Sequence, residues 1–390
     1  MKSQFYYPSR VILESGGFRR VAVELPAAAK RILVISGQQA MRAAGVLAEI
    51  EVVLKQAGKQ CFFYEGVNTN PTDVEIDTIC RARAEFAADC VIGIGGGSSL
   101  DATKLVAMQA TNGGSVWDYI NLAERPAKKF ESDALPIIAI PTTSGTGSES
   151  TPFAVLTHSV TRMKKGVGNA KLYPSLVILD PELLCKMPPR IVAITGLDAF
   201  GQALEAYTSG RATFHSDYYG LSALQYLIPN LERSWAEPDN HEAKAAVAWG
   251  AFLSGLAIGL VDVNLAHAMS HPISAHYGMQ HGLAVFNCTI PAIQFNRSCV
   301  AEKYHRVAAL FPGEKRDRSD LVDVLIDRLQ AWSDQFGLPL GLKNYEIPAA
   351  DLDIFTQDAL QIGAIKTNPR PVAAHELRVL YEQAWNGDVH

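Results

Sequence analysis

The sequence predicts an α/β domain built on a parallel sheet, followed by an all-helical domain. Three observations carry this. Short β-branched runs alternate with helical patterns from about residue 30 to 180; those runs then stop; and alanine- and leucine-rich segments of 3.6-residue periodicity take over after ILDPELLCKMPPR at 178–190. The expected division is 1–185 for the α/β part and 186–390 for the helical part.

Each element of the first part has its own signal. RILVIS reads as a strand, AGVLAEIEVVLKQAG as a helix and CFFYEGV as a second strand. The next helix starts at NPTDVE, where Thr72 and Glu75 have the spacing of a capping box and Asp73 sits in the first turn. DCVIGIGGG is a strand, SLDATKLVAMQAT a helix and LPIIAIP another strand. Strands and helices in strict alternation imply a parallel sheet wrapped by helices.

Composition narrows the function. A chain of 390 residues can bury two separate cores. A net charge of −5 with no basic run gives no footprint for nucleic acid or an anionic membrane. The six cysteines (Cys61, Cys80, Cys90, Cys185, Cys288 and Cys299) form no CxxC pair and read as reduced thiols. MKSQFYYPSR lacks the apolar core of a signal peptide, and the run around AFLSGLAIGLV reads as too short and too glycine-interrupted to span a bilayer. The expectation is a cytoplasmic protein with neither membrane nor nucleic-acid partners.

VIGIGGGSSLDATK joins a buried strand to a helix through Gly95, Gly96 and Gly97, with Ser98 or Ser99 as the expected N-cap. Glycines let backbone approach a diphosphate, and the amides and dipole of a helix start favour its charge. PTTSGTGSES, at 141–150, follows the next strand with hydroxyls and glycines of its own. Two such turns at neighbouring strand ends predict a nucleotide crevice. This is not the usual dinucleotide fingerprint, because the glycines follow the third predicted strand. The ribose reader would be the end of the first, where Gly37, Gln38 and Gln39 offer no carboxylate to repel a 2′-phosphate.

In the helical part, GLDAFGQALEAY puts Asp198 and Gln202 one turn apart on one helix face. His267 and His271 are likewise one turn apart, and His281 follows on the next segment. Imidazoles so spaced form a candidate divalent-metal site, the more so if Asp198 faces them across the helical domain. His276 lies within the group but off its spacing, and is held as a pocket residue only.

Together these motifs resemble the iron-containing (group III) alcohol dehydrogenase family, whose fold is dehydroquinate synthase-like. The resemblance spans nearly the whole chain through FYYPSRVI, NPT at 70–72, GGGSSLDATK, PTTSGTGSE, ILDPEL, GLDA, the HxxxH pair with HG at 281, and TNPRPV at 367–372. It implies a cleft between the two domains where a nicotinamide faces a metal. The cofactor would contact Gly95, Gly96, Gly97, Ser98 and Asp101, then Thr142, Thr143 and Thr146, with Lys165 near the ribose. Metal ligands would be Asp198, His267, His281 and residue 202, which in most of the family is histidine and here is Gln202. His271 matches a non-ligating histidine beside the nicotinamide, a candidate proton relay. Three readings of Gln202 stay open: a weak ligand, a residue swung aside from a three-ligand site, or a site that has given up its metal.

TPFAVLTH, KLYPSLVILDPEL and the HYG segment look like the phosphonoacetaldehyde reductase branch, which makes Phe153 and His276 pocket candidates. The implied reaction is reversible hydride transfer between NADP or NAD, with NADP favoured, and a small aldehyde, aided by weakly held Fe2+ or Zn2+. The resemblance also implies a homodimer or larger oligomer. Alternatives are a glycerol-dehydrogenase-like polyol oxidoreductase, a hydroxyacid-oxoacid transhydrogenase, or a catalytically silent cofactor-binding or assembly protein.

Overall fold

The computed structural model describes residues 4–122, 125–313 and 321–389. These form two compact units. One runs over Tyr6–Met187 with Asp239–Ala248, and the other over Pro188–Pro238 and the chain from Trp249 onward.

The first unit holds strands β1 (Arg10–Leu13), β2 (Arg31–Gly37), β3 (Gln60–Val67), β4 (Cys90–Gly95), β5 (Ile137–Pro141), β6 (Phe153–Thr157), β7 (Lys164–Gly168) and β8 (Leu176–Leu179). Its helices are α1 (Val21–Glu24), α2 (Ala40–Ala43), α3 (Val46–Gln56), α4 (Asp73–Phe86), α5 (Gly97–Asn112) and α6 (Pro181–Leu184). Six strands form one sheet in the order β1-β8-β5-β4-β2-β3, and every pairing in it is parallel. β6 and β7 make a separate antiparallel pair. The sequence reading did not include β1, β8 or the β6–β7 hairpin, so the glycine turn follows the fourth strand and the strand that ends in Gly37 is the second.

Burial explains why this sheet is parallel. In β2, Ile32 and Val34 enter one hydrophobic cluster while Leu33 and Ile35 enter another. All four are fully buried or nearly so, as expected of a strand covered by helices on both faces. Each such side chain contributes about 1.5–3 kcal/mol by leaving water. Chain order reverses between β2 and β4: from β2 the chain moves outward to β3, then returns to β4 on the other side. Ligands of open α/β sheets bind at the strand C-termini beside such a reversal. Register sets Ser36 beside Ile94 and Gly95 beside Pro141, so the ends of β2, β4 and β5 lie side by side.

The second unit is helical. α7 (Pro189–Thr208) is followed by α8 (Phe214–Ala236), α9 (His241–Val261), α10 (Leu265–Tyr277) and α11 (His281–Ala308). α12 (Leu321–Phe336), α13 (Leu352–Leu360) and α14 (Ala374–Asn386) complete it, the first turns of α9 counting with the other unit. The apolar run read as too short to span a bilayer is extended by AKAAVAWG into the 21-residue α9, which is long and apolar enough by length and composition alone. Two-thirds of that stretch is buried inside the protein, and Ala257 and Val261 join a cluster with Ala206 of α7. Its apolar character is that of a core helix.

Candidate functional site

At the end of β4 the structure departs from one expectation. The N-cap of α5 is Gly96, not Ser98 or Ser99, and no side chain caps it. Gly96 is extended at this position, so the helix begins at Gly97 and both serines fall in its first turn. A helix start left open by its own side chains keeps its amides and dipole for an anion. The capping expectation at α4 holds by half: Thr72 accepts from the Glu75 amide at 3.2 Å, while the Glu75 carboxylate accepts from the Asn68 amide at 2.9 Å.

The two turns touch. The Thr142 amide donates to the Gly95 carbonyl at 2.9 Å. A Cβ on Gly97 would lie 2.7 Å from the Thr146 side chain, and one on Gly96 would lie 3.4 Å from Thr143 Oγ1. The expected residues Gly95, Gly96, Gly97, Ser98, Thr142, Thr143 and Thr146 thus gather at one place, and Gly37 borders it, since a Cβ there would lie 3.8 Å from Ser99 Oγ. Lys165 pairs with Leu156 across the β6–β7 hairpin, and Phe153 opens that hairpin opposite Gly168.

Asp101 plays an inward part. Its carboxylate accepts from Ser148 Oγ at 2.6 Å and from the Val155 amide at 3.0 Å, which braces the second turn. Lys104, one turn on and fully buried, donates to the carbonyls of Ser148 at 2.5 Å, Thr151 at 3.0 Å and Phe153 at 2.6 Å. Burial disfavours charge throughout this knot. It lowers Lys104 to about 8 against the pull of Asp101 and Glu149, and raises Glu149 to about 7.

In the helical unit, α7 carries Asp198, Gln202 and Glu205 at i, i+4 and i+7, all on one face and all buried. α10 brings His267 and His271, and α11 begins at His281. Gly282 lets α11 start this close: a Cβ there would lie 2.2 Å from the Ile194 carbonyl oxygen and 2.9 Å from Asp198 Cβ. The HG pair is therefore a packing requirement as well as a ligand motif.

Asp198, His267 and His281 each offer a ligand atom, and these atoms lie within 4.8 Å of one another. Asp198 Oδ1 stands 3.5 Å from His267 Nε2 and 3.8 Å from His281 Nε2. Donors about 2.1 Å from a tetrahedral ion would sit roughly 3.4 Å apart, so the spacing fits. Asp198 Oδ1 and His267 Nε2 are buried and make no hydrogen bond. A buried carboxylate oxygen and an imidazole nitrogen facing each other without one are costly unless a cation joins them. The residues present therefore fit a divalent ion. His281, with 32% of its side chain exposed, forms the open side.

Glu205, which the sequence reading missed, completes this arrangement. Its carboxylate holds His267 Nδ1 in a short hydrogen bond and accepts from the amides of Ala266 at 2.6 Å and His267 at 3.2 Å. A proton held on Nδ1 by Glu205 leaves Nε2 as the ligating nitrogen, the carboxylate–histidine pairing typical of metal sites. Burial works against a charged imidazole at His267, but with no cation beside them Glu205 and Asp198 push it up to about 10; a cation held at Nε2 would take the place of that proton. The signal was available: Glu205 falls seven residues after Asp198 on the same helix face.

Gln202 points its amide nitrogen at Asp198 Oδ2, 3.3 Å away, and its carbonyl oxygen at Ser254 Oγ, 3.1 Å away. His271 lies beside His281, the two rings tilted by 60° with centroids 5.7 Å apart. His276 is not drawn into the cluster; it is exposed, bonded to Asp358 at 2.8 Å and packed on Phe355.

Comparison with known proteins agrees with this geometry. The iron-containing alcohol dehydrogenase family model matches residues 8–181, and the model of the C-terminal part of the Fe-containing alcohol dehydrogenase family matches 192–385. The chain is 33% identical over 348 residues to a sulfoacetaldehyde reductase of Bilophila wadsworthia, covering 87% of each. It is 27% identical to an NAD-dependent methanol dehydrogenase of Bacillus methanolicus, over 98% of this chain and all of that one. A solved 1,3-propanediol oxidoreductase superposes with a TM-score of 0.92 at 26% identity, over 98% of this chain and 100% of that one.

Proposed function

We propose a specific hydride-transfer function on this premise: the chain belongs to the iron-containing alcohol dehydrogenase family and is an oxidoreductase acting on CH–OH groups. The reaction is the reversible reduction of a small aldehyde by NAD(P)H, with one proton taken up, to a primary alcohol and NAD(P)+. The single observation that carries this reading is the Asp198–His267–His281 cluster, in which Asp198 Oδ1 and His267 Nε2 are buried without a hydrogen bond.

When bound, a nicotinamide supplies the hydride and a divalent cation supplies Lewis acidity toward the carbonyl oxygen. Asp198, His267 and His281 would hold the cation. Glu205 fixes the His267 ring so that Nε2 stays presented. His271, beside His281, would supply the proton that completes the alcohol. The open start of α5 and the Thr142–Thr146 turn would take the diphosphate. Gly37 in place of a carboxylate favours NADP over NAD.

For the substrate we infer a short aldehyde with an anionic head group, phosphonoacetaldehyde being the notable case. Support comes from the TPFAVLTH and HYG segments and from the likeness to a sulfoacetaldehyde reductase, which acts on another anionic two-carbon aldehyde. The test is kcat/KM for NADPH oxidation with phosphonoacetaldehyde, sulfoacetaldehyde and uncharged aldehydes of equal length. Preference for an anionic aldehyde supports the reading; equal turnover of all of them rejects an anion-selective pocket.

A further inference from the structure

We propose that Ser254 sets the orientation of the Gln202 amide and so decides whether an amide oxygen joins the ligands offered by Asp198, His267 and His281. The proposal rests on reading that cluster as a cation site. Gln202 and Ser254 are both buried, the first on α7 and the second on α9.

A hydroxyl has one proton to give and lone pairs to receive with. Ser254 Oγ lies 2.7 Å from the Ala251 carbonyl oxygen and 3.1 Å from Gln202 Oε1. It cannot donate to both. The shorter contact, one turn back in its own helix, takes the proton and leaves Oγ an acceptor facing another acceptor. Rotating the Gln202 amide by half a turn exchanges its oxygen and nitrogen at nearly unchanged positions. The amide nitrogen would then donate to Ser254 Oγ, and the amide oxygen would face Asp198 Oδ2 across the present 3.3 Å separation.

Two oxygens at that distance repel, so without a cation the observed orientation prevails. There the amide donates to a carboxylate, a charge-assisted bond roughly twice as strong as a neutral one. A cation beside Asp198 reverses the balance by drawing both oxygens toward itself. Gln202 thus acts as a two-position ligand, and Ser254 is the positioning residue that accepts a hydrogen bond from the amide nitrogen in the ligating position. The added donor is an amide oxygen, which suits harder divalent ions better than an imidazole would.

The test is chelator-competition titration of Zn2+ and of Mn2+ into metal-free enzyme. It compares the parent with Ser254→Ala, Ser254→Thr, Gln202→Leu and the double variant Gln202→Leu/Ser254→Ala. Ser254→Ala is expected to lose about tenfold in affinity for each ion, at the lower end of effects seen for residues that orient ligands. Ser254→Thr should restore it, and the double variant should bind no more weakly than Gln202→Leu alone, because Ser254 acts only through the amide. Parent-like affinity in Ser254→Ala, or losses that add in the double variant, would overturn the proposal. A parent that takes up neither ion contradicts the cation reading itself and this proposal with it, so the two failures are told apart.

Discussion

On the proposed function, the glycine turns of the α/β unit and the carboxylate–histidine cluster of the helical unit would bind by opposite means. The first presents backbone: three consecutive glycines, an uncapped helix start, and a second turn hydrogen-bonded against them. Its side chains face inward, Asp101 and Lys104 bracing the loop from behind. The second presents side chains from α7, α10 and α11, with Gln202 bonded to Asp198 and Glu205 holding the His267 ring. A backbone site is assembled by neighbouring strand ends and harmed mainly by adding atoms. A side-chain site is assembled by helix packing and harmed by removing or recharging single atoms.

The largest effect should come from deleting an atom of the second kind. Asp198→Ala removes the cluster's anionic ligand, and kcat/KM should fall by about a thousandfold or more. NADPH binding followed by fluorescence should be unchanged. If that variant kept its turnover, the contrast between the two regions would break down.

Next comes Glu205→Gln. The carboxylate serves three donors, the His267 ring and two amides of α10, whereas a glutamine has one acceptor oxygen and must turn an NH2 toward one of them. Metal affinity should fall by about 10- to 100-fold. Direct metal titration checks this, and an unchanged affinity would leave Glu205 as a helix cap only.

Gly37→Asp adds a side chain to the backbone site. The position is open, with the nearest side-chain atom 3.8 Å from a new Cβ, so the fold should accept it. A carboxylate there should repel a 2′-phosphate and move the NADPH-to-NADH preference toward NADH by about tenfold, about 1.4 kcal/mol. Preference measured as a ratio of kcat/KM values decides it; a parent already tenfold better with NADH would contradict the role given to Gly37.

The smallest effect concerns the brace behind the glycine turns. Glu149 is raised to about 7 by burial, from an ordinary value of 4.5. A carboxyl held above its unfolded value contributes stability that is present below about 4.5 and lost as pH rises through about 7. Glu149→Gln, which stays neutral, should gain melting temperature over the parent at pH 8 relative to pH 5. An equal difference at both pH values would show that Glu149 does not titrate in this window.

The contrast also explains what could be read in the sequence. The β2, β4 and β5 runs, their helices and the glycine turns are local patterns, and they lie where the sequence puts them. β1 and the β6–β7 hairpin are only four and five residues long, too short for periodicity to register. Helical spacing revealed His267 and His271, and Asp198 with Gln202, but spacing along one helix cannot say which faces meet. Glu205 could have been found on the face of Asp198. Ser254 lies in an apolar run, and nothing local marks it; only the packing of α9 makes it a neighbour of Gln202.

The most direct measurement is the divalent metal content of protein purified without chelator, read together with its aldehyde-dependent NADPH oxidation before and after EDTA. Bound ion approaching one per chain is expected once metal is supplied, with loss of turnover on chelation and recovery when Zn2+ or Fe2+ is restored. Full turnover from protein that carries no metal, unchanged by EDTA, would contradict the cation reading.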